Sequence, residues 1–432
     1  MLGAGPRTQR SISSVQLPTE FSSGPSSVPT FQYTSEDFVI DLRNATNPSA
    51  EGKTTLRGLL HARWEAAKER NAFNYNLNCL YKFLEGKYDF SIQLNVERGE
   101  LRRKPMRFKH IKEPFNHLRW NFTKLNEQEI MFYLKCEDDP ISTDPLDRHL
   151  VAVNASPLER DHSLIIPAVN KCLPQILTPT AIRLGTDMML MVDDDSFHVL
   201  FNSLLGQASV NHLHMHCLYW PYDSDLINRK FERLLDVPDV FIIQPPDWFC
   251  HANLSLCVEF LTSQEQAHNL FFTRSQPIRT DGEEHDEDRM RLRPQYVTAY
   301  VFPRTNMIGA KPPTNFNPAA NELAGCLTSY TIRFFESATE QAAVRIIEEE
   351  AQLPQETFDR LCYGLSDVLH GRTIGSTCPF SNESVEGLTS PEIDELRDSF
   401  QTYAQHSPSV NRRERTNSVD GISQIKFRFD TY

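Results

Sequence analysis

Ala208-Ser209-Val210-Asn211-His212-Leu213-His214-Met215-His216-Cys217-Leu218-Tyr219-Trp220-Pro221 is the stretch whose reading decides the fold. Three histidines recur at every second position, with Leu213 and Met215 between them. Alternation with a period of two predicts an extended strand. On such a strand the three imidazoles share one face, about 6.6 Å apart, while the intervening residues enter an apolar layer. An imidazole with a free pKa near 6.5 carries an unprotonated nitrogen at neutral pH and can act as a nucleophile toward phosphorus. Alternate histidines can also converge on zinc at about 2.0–2.1 Å. From the residues alone, three readings of the ladder stay open: nucleophilic catalysis, a metal site, or a strand with surface histidines.

Outward from this stretch, 432 residues with 40% hydrophobic and 23% charged content describe a globular chain of one large or two to three average domains. A net charge of −13 argues against a nucleic-acid groove as the main business, because backbone phosphates need a basic surface. Nine cysteines, an odd number without CxxC spacing, fit reduced thiols. Neither an apolar leader nor a run of about 20 apolar residues is found. The expected setting is the cytosol, with no membrane partner.

Residues 1–33, rich in Ser, Pro, Thr and Gly, are expected to be a disordered arm, and Phe38-Val39-Ile40 a short strand that docks it. Thr54 or Thr55 caps a helix to about Asn71, with Leu56, Leu59, Leu60, Trp64 and Ala67 on its apolar stripe. Tyr88 to Asn95 alternates as a half-buried strand. Arg98, Arg102, Arg103 and Lys104 follow as a cationic patch, read as an exposed basic hairpin or as a set of phosphate partners.

Leu150–Val153 and Leu164–Ile166 read as strands joined through Asn154-Ala155-Ser156-Pro157, with His162 at the start of the second. Thr178-Pro179 opens a helix through Met188, Met189 and Val192 that ends in a solvated acid run, Asp193-Asp194-Asp195. Phe197–Phe201 is the strand before the triad. The loop from Asn202 to Asn211, with Ser203, Gly206, Ala208 and Ser209, is small enough for close approach to a phosphate. Beyond Pro221 the pattern loosens: Leu254 to about His268 is a helix, Asn269–Thr273 a strand, 280–293 a charged loop in which His285 has no ligand role, and Tyr296–Phe302 a further strand. Phe358, Leu361, Cys362, Leu365, Val368 and Leu369 follow helical spacing up to Gly371. A second helix starts at Ser390-Pro391, and the end of the chain is a flexible tail.

His212-x-His214-x-His216 resembles the histidine-triad nucleotide hydrolases and transferases. Phe73-Asn74-Tyr75-Asn76, Gly86-Lys87-Tyr88, Ile92-Gln93-Leu94-Asn95, Arg103-Lys104-Pro105, Asn121-Phe122-Thr123-Lys124, Val153-Asn154-Ala155-Ser156-Pro157, Cys172-Leu173-Pro174-Gln175 and Phe201-Asn202-Ser203 are similar to the GDP-hexose phosphorylases of animals and plants. The resemblance runs from about 70 to about 330 and includes Ala319 to Gly325. It implies an α+β fold: a histidine-triad-like antiparallel sheet with flanking helices, built as two fused triad-like halves with one active site. The implied domain plan is the arm, a catalytic region over 34–370, a helical extension over 371–404 and a tail over 405–432.

The resemblance also implies the chemistry. His214 attacks the α-phosphorus and carries GMP; His212 orients it, His216 and Ser209 hold phosphate oxygens, and His162 is a fourth histidine near the ladder. Asn202, Gly206, Asn211, Arg102 and Arg103 are the remaining candidates for nucleotide or phosphate contact. GDP-D-glucose and inorganic phosphate are the implied partners, with no cofactor and no metal, and a second copy of the chain is a candidate partner. Plant phosphorylases and the related uridylyltransferases have glutamine where this chain has His216, whereas the hydrolases have histidine. Hydrolysis, GDP-L-galactose as substrate, and a non-catalytic metal-binding or regulatory protein are therefore the rival readings. D-glucose and phosphorolysis are favoured because the animal enzymes share this histidine.

Overall fold

The structure, a computed structural model, describes residues 28–39, 55–104, 106–138, 146–222, 241–243, 250–275, 296–308 and 315–369. In chain order its elements are β1 (Thr30–Tyr33), α1 (Leu56–Glu69), β2 (Leu80–Phe83), β3 (Ser91–Leu94), α2 (Val96–Leu101), β4 (Ile130–Cys136), β5 (His149–Val153) and β6 (Ser163–Ile166). These are followed by α3 (Pro179–Met191), β7 (Phe197–Asn202), β8 (Met215–Tyr219), β9 (Phe241–Ile243), α4 (Cys250–Ser263), β10 (His268–Ser275) and β11 (Tyr296–Pro303). The described chain closes with α5 (Ala320–Leu323), β12 (Cys326–Ser329), α6 (Ile332–Ser337), α7 (Glu340–Glu350) and α8 (Gln355–Leu369).

Nine of these strands form one sheet in the order β1-β4-β5-β6-β8-β7-β10-β11-β9. Apart from the parallel β1–β4 pair, every neighbour is antiparallel. The sheet is continuous across β7 and β10, so strands before and after the triad share one hydrogen-bonded surface, as the fused-halves expectation requires. A smaller sheet, β12-β3-β2, packs separately.

Why the large sheet sits where it does follows from its two faces. Val151, Ile165, Val199, Met215, Cys217, Leu270 and Phe272 alternate onto one face and pack under Leu60 and Trp64 of α1, Met188 of α3, Phe260 of α4 and Leu365 of α8. Thr55 caps α1 by accepting from Gly58 N–H, and Thr178 caps α3 by accepting from Ala181 N–H, as the sequence predicts. On the opposite face, Leu200, Leu218 and Phe271 meet Ile92 and Leu327 of the small sheet, while Ala152, Leu164 and Ile166 meet Phe122 and Val210. The triad face opens between these two apolar clusters.

Met215 belongs to the helix-covered layer. It is fully buried, and its sulfur lies 3.2 Å from where a Cβ on Gly185 of α3 would sit. Met215→Ala is expected to lower unfolding free energy by about 2–5 kcal/mol, since a buried side chain is lost against a helix that cannot close the gap. Denaturant unfolding reads this directly, and a loss below about 1 kcal/mol would contradict the packing.

Several local expectations are corrected. The strand docking the N-terminal arm is Thr30–Tyr33, paired with Tyr133–Cys136. Phe38-Val39 instead docks through a Val39 N–H bond to the Leu190 carbonyl, and Ile40 lies outside the described residues. β3 is buried on both faces, not half-buried, because its polar side chains find partners: Ser91 Oγ accepts from Trp220 Nε1 at 2.8 Å, and Gln93 Nε2 donates to the Leu158 carbonyl at 2.6 Å. Arg98 lies on α2, a helix capped by Asn95, and no basic hairpin forms. The acid run is not simply solvated: Asp194 pairs with Arg57 at 2.9 Å, and Asp195 is buried. The expected loop around His285, Gly371, the helix from Ser390 and the tail lie outside the described residues.

Candidate active site

The triad begins before its strand. β8 starts at Met215, so only His216 is on it; His212 and His214 belong to the approach segment, against the expectation of one extended strand. The reason is local. Leu213 N–H donates to the Leu173 carbonyl at 2.9 Å, and His214 N–H donates to Gln175 Oε1 at 2.9 Å, so side chain and loop replace a ladder neighbour.

This detour fixes the middle imidazole. His214 Nδ1 lies 2.8 Å from Gln175 Oε1 and 2.8 Å from the His212 carbonyl, both acceptors. The ring proton therefore resides on Nδ1 and Nε2 presents a lone pair. Gln175 is itself held: its Nε2 donates to the carbonyls of His214 and Asn202, each at 3.0 Å, and its backbone N–H donates to Asn211 Oδ1 at 2.8 Å. Every polar group of the glutamine side chain is used.

His216 is fixed the other way round. The Leu158 N–H donates to His162 Nδ1 at 2.9 Å, which puts the His162 proton on Nε2, 3.0 Å from His216 Nδ1. Asn154 Nδ2 sits beside both rings, 3.2 Å from His162 Nε2 and 3.5 Å from His216 Nδ1. His216 Nδ1 is thus an acceptor, and its Nε2 carries hydrogen. Neighbouring rings 5.2 Å apart hold opposite tautomers, one presenting a lone pair and one a hydrogen.

Burial keeps both rings uncharged. It lowers His214 to about 4, partly offset by its bond to the His212 carbonyl, and it pushes His216 and His162 well below the usual range with help from nearby Arg98. His212 falls to about 4, first through burial and then through His214. At neutral pH the ladder is a row of neutral imidazoles.

A pocket opens in front of them. His162, His214, His216, Asn202, Ser209, Arg102 and Arg103 all line it, so most of the sequence-predicted set converges. His212, Gly206 and Asn211 are not in its wall. His212 accepts from the Phe122 N–H at 3.1 Å and orients His214 through its backbone carbonyl, where the sequence reading gave it only an orienting role of unspecified kind. Asn211 ties Gln175 to the Glu113 and Pro114 carbonyls. Gly206 sits between Leu205 and Gln207, both at positive φ, where a Cβ would fall 2.7 Å from Ser203 Oγ. The close packing of the turn leaves no room for a side chain at this position.

The wall also holds Arg98, from the cationic patch, and residues that motif reading did not assign: Trp120, Phe122, Glu129, Asn154, Asn321, Glu322 and Tyr330. Arg98 donates to the Ser156 carbonyl, and Arg102 lies over the Tyr330 ring at 4.9 Å. Glu322 is buried, which raises its carboxyl to about 7 although Arg98 and Arg102 pull it down. Among the described residues, no three His, Cys, Asp or Glu side chains form a metal-holding group.

Comparison with known proteins places this geometry. Residues 55–218 match a family model described as the GDPGP1-like N-terminal domain, and residues 251–370 match its C-terminal domain. GDP-D-glucose phosphorylase 1 of Caenorhabditis elegans is 63% identical over 96% of this chain and 92% of its own length. The chain belongs to the GDP-D-glucose phosphorylase 1 family.

Within that family the human phosphorylase is 33% identical, covering 78% of this chain and 91% of its own length. GDP-L-galactose phosphorylase 2 of Arabidopsis thaliana is 35% identical but covers only 38% of this chain. Among solved structures, yeast Ap4A phosphorylase Apa2 in complex with AMP aligns with 70% of this chain and 97% of its own, at 14% identity and a TM-score of 0.48. The boundary between the two phosphorylase family domains falls between β8 and α4, and the sheet runs through it by the β7–β10 pairing.

Proposed function

We propose that the chain is a GDP-D-glucose phosphorylase working through a guanylylated His214. The observation that carries this reading is the pair of opposite tautomers on His214 and His216. The His214 Nε2 lone pair attacks the α-phosphorus of GDP-D-glucose. The bond from that phosphorus to the bridging oxygen breaks, its electron pair leaves with glucose 1-phosphate, and GMP stays on Nε2. The ring now carries positive charge, and its Nδ1–H still faces the Gln175 amide oxygen and the His212 carbonyl, two dipoles already aimed at it. His216 Nε2–H donates to a non-bridging α-phosphate oxygen. An oxygen of inorganic phosphate then attacks the same phosphorus, the N–P bond breaks back onto Nε2, and GDP forms.

The other groups have matching tasks. Arg98 and Arg102 line the pocket where hexose phosphate departs and phosphate arrives, and each can accept that charge. The leaving phosphate is a weak base, so no strong general acid is needed. Both family segments fall inside residues 34–370, the region taken as catalytic. The cytosol is the proposed compartment: Cys79, Cys136, Cys172, Cys217, Cys257 and Cys326 are thiols outside any disulfide, and no described helix is long and apolar enough to cross a membrane.

His216 keeps water as a rival acceptor. Supplying phosphate should accelerate consumption of GDP-D-glucose at least tenfold and make GDP the product. Without phosphate, protein mixed with GDP-D-glucose should gain the mass of one GMP on a peptide spanning His212 to His216. Equal rates with GMP as product would move the enzyme to the hydrolases.

A further inference from the structure

The pocket is chemically two-ended, and the mechanism above uses only one end. Toward α5 it is lined by Arg98, Arg102, Asn321, Glu322 and Tyr330, a cationic and polar set. Toward the start of β4 it is lined by Phe122, Trp120, Leu125, Arg103 and Glu129. Phe122 lies 4.8 Å from the His214 ring and Trp120 stands edge-on to Phe122 at 5.2 Å, so two aromatic side chains lead away from the phosphorus site. Arg103 covers the Trp120 ring at 3.1 Å. Leu164 and Val210 back this end with an apolar floor shared with Phe122.

Glu129 shares this wall with Arg103, whose positive charge its carboxylate favours, and it is the acidic side chain at this end of the pocket. It is only 7% exposed and lines the pocket. Its Oε2 accepts from the Asn126 N–H at 2.8 Å, which closes the turn before β4. Among the described residues no hydrogen bond is made to its Oε1. A carboxylate beside aromatic rings matches one edge of guanine, where the N1 hydrogen and the 2-amino group are both donors. Adenine presents an acceptor at N1 and would face the same carboxylate lone pair to lone pair.

We propose that Trp120, Phe122 and Glu129 form the guanine subsite, with Glu129 reading the N1 and 2-amino edge, and that the Arg98–Arg102 end is left for the hexose phosphate and the phosphate that replaces it. The proposal rests on the guanylyl-transfer reading for its orientation. It follows from the demands of a two-step transfer: one end keeps the nucleoside throughout, while the other exchanges two phosphates of different size. A cationic end suits the exchange, and an aromatic end with one fixed acceptor suits the part that stays. A site built to hydrogen-bond a group rejects the analogue lacking it far more strongly than an apolar pocket can.

The test is Glu129→Gln, in which the amide oxygen can still accept from Asn126, so the turn is kept. Turnover of GDP-D-glucose, IDP-glucose and ADP-glucose with phosphate is measured for wild type and variant, with binding of GDP, IDP and ADP by calorimetry. Wild type should prefer GDP over ADP by about 100-fold or more, with IDP, which lacks only the 2-amino group, between them. In the variant, kcat/KM for GDP-D-glucose should fall about 100-fold, that for ADP-glucose should hold or rise, and the gap between GDP and IDP should close. A variant that keeps the wild-type base preference overturns the proposal, as does Glu322→Gln removing that preference instead. Calorimetry separates this from the reading beneath it: wild type that selects GDP through Glu129 yet turns over no nucleotide-sugar upholds the subsite and sinks the phosphorylase.

Discussion

His214→Asn is expected to leave a folded protein whose phosphorolysis has fallen by about 10^4-fold or more, the scale on which loss of a covalent nucleophile acts. The fold should survive because an asparagine amide N–H reaches about the place of the imidazole Nδ1–H. Gln175 Oε1 and the His212 carbonyl, each 2.8 Å from Nδ1, keep a donor. The nitrogen that is lost is Nε2, the one that faces the pocket without a proton. No neighbour can replace it: His216 carries hydrogen on its outward nitrogen, and His162 directs its own toward His216. The GMP label should vanish with the activity. Near-normal turnover in the variant, or a label that maps to His162, would remove the mechanism.

The same substitution has a second readout in acid. Wild-type His214 has its pKa lowered by burial from 6.5 to about 4, while the unfolded chain takes up a proton near 6.5. Between those values the unfolded state binds more protons, so stability falls as pH drops from about 6.5 toward 4, by on the order of 3 kcal/mol for this one ring. Asparagine has no such dependence. The variant should therefore gain on wild type in urea melts as pH is lowered through that window, and should gain nothing between pH 7 and 8.

Much of this site was legible because one strand carries its own pattern. The alternation over Met215–Tyr219 placed His216 toward the pocket and Met215 and Cys217 under the helices, and the caps at Thr55 and Thr178 were read from single residues. What escaped depends on partners distant in sequence. His212 and His214 left the strand because Gln175, 39 residues from His214, supplies bonds that a ladder would otherwise make. β3 appeared half-buried because the residues that bury its polar face, Trp220 and Leu158, come from elsewhere in the chain. Arg98, read as part of an exposed hairpin or as a phosphate partner, lies half-buried at the pocket, where Tyr75, Tyr330 and Glu322 favour its charge. Gly206 and Asn211 entered the candidate set by proximity to the triad; they sit outside the pocket wall, one where no Cβ fits and the other clasping a loop. Period and caps are local physics; which buried polar atom answers which is decided by the assembled sheet.

Gln175→Met asks how much of the catalysis lies in that answer. Methionine matches glutamine in length and removes every hydrogen bond the side chain makes. The His214 N–H and the carbonyls of His214 and Asn202 lose their partner, and each orphaned buried group costs about 1–3 kcal/mol. The protein should lose several kcal/mol in denaturant unfolding and remain folded only if that margin exists, so turnover is to be measured below the new midpoint. The imidazole keeps one acceptor, the His212 carbonyl, and with it the correct tautomer. Its orientation is held by one bond instead of two, and the positive charge of the guanylylated ring faces one fewer dipole. The loss should therefore appear in kcat, by about 10²-fold, as for removal of one preorganised partner of a developing charge. KM for GDP-D-glucose should change little, because Gln175 does not line the pocket. A merely structural glutamine would lower the folded fraction without altering kcat per folded molecule, and that outcome would strip Gln175 of its positioning role.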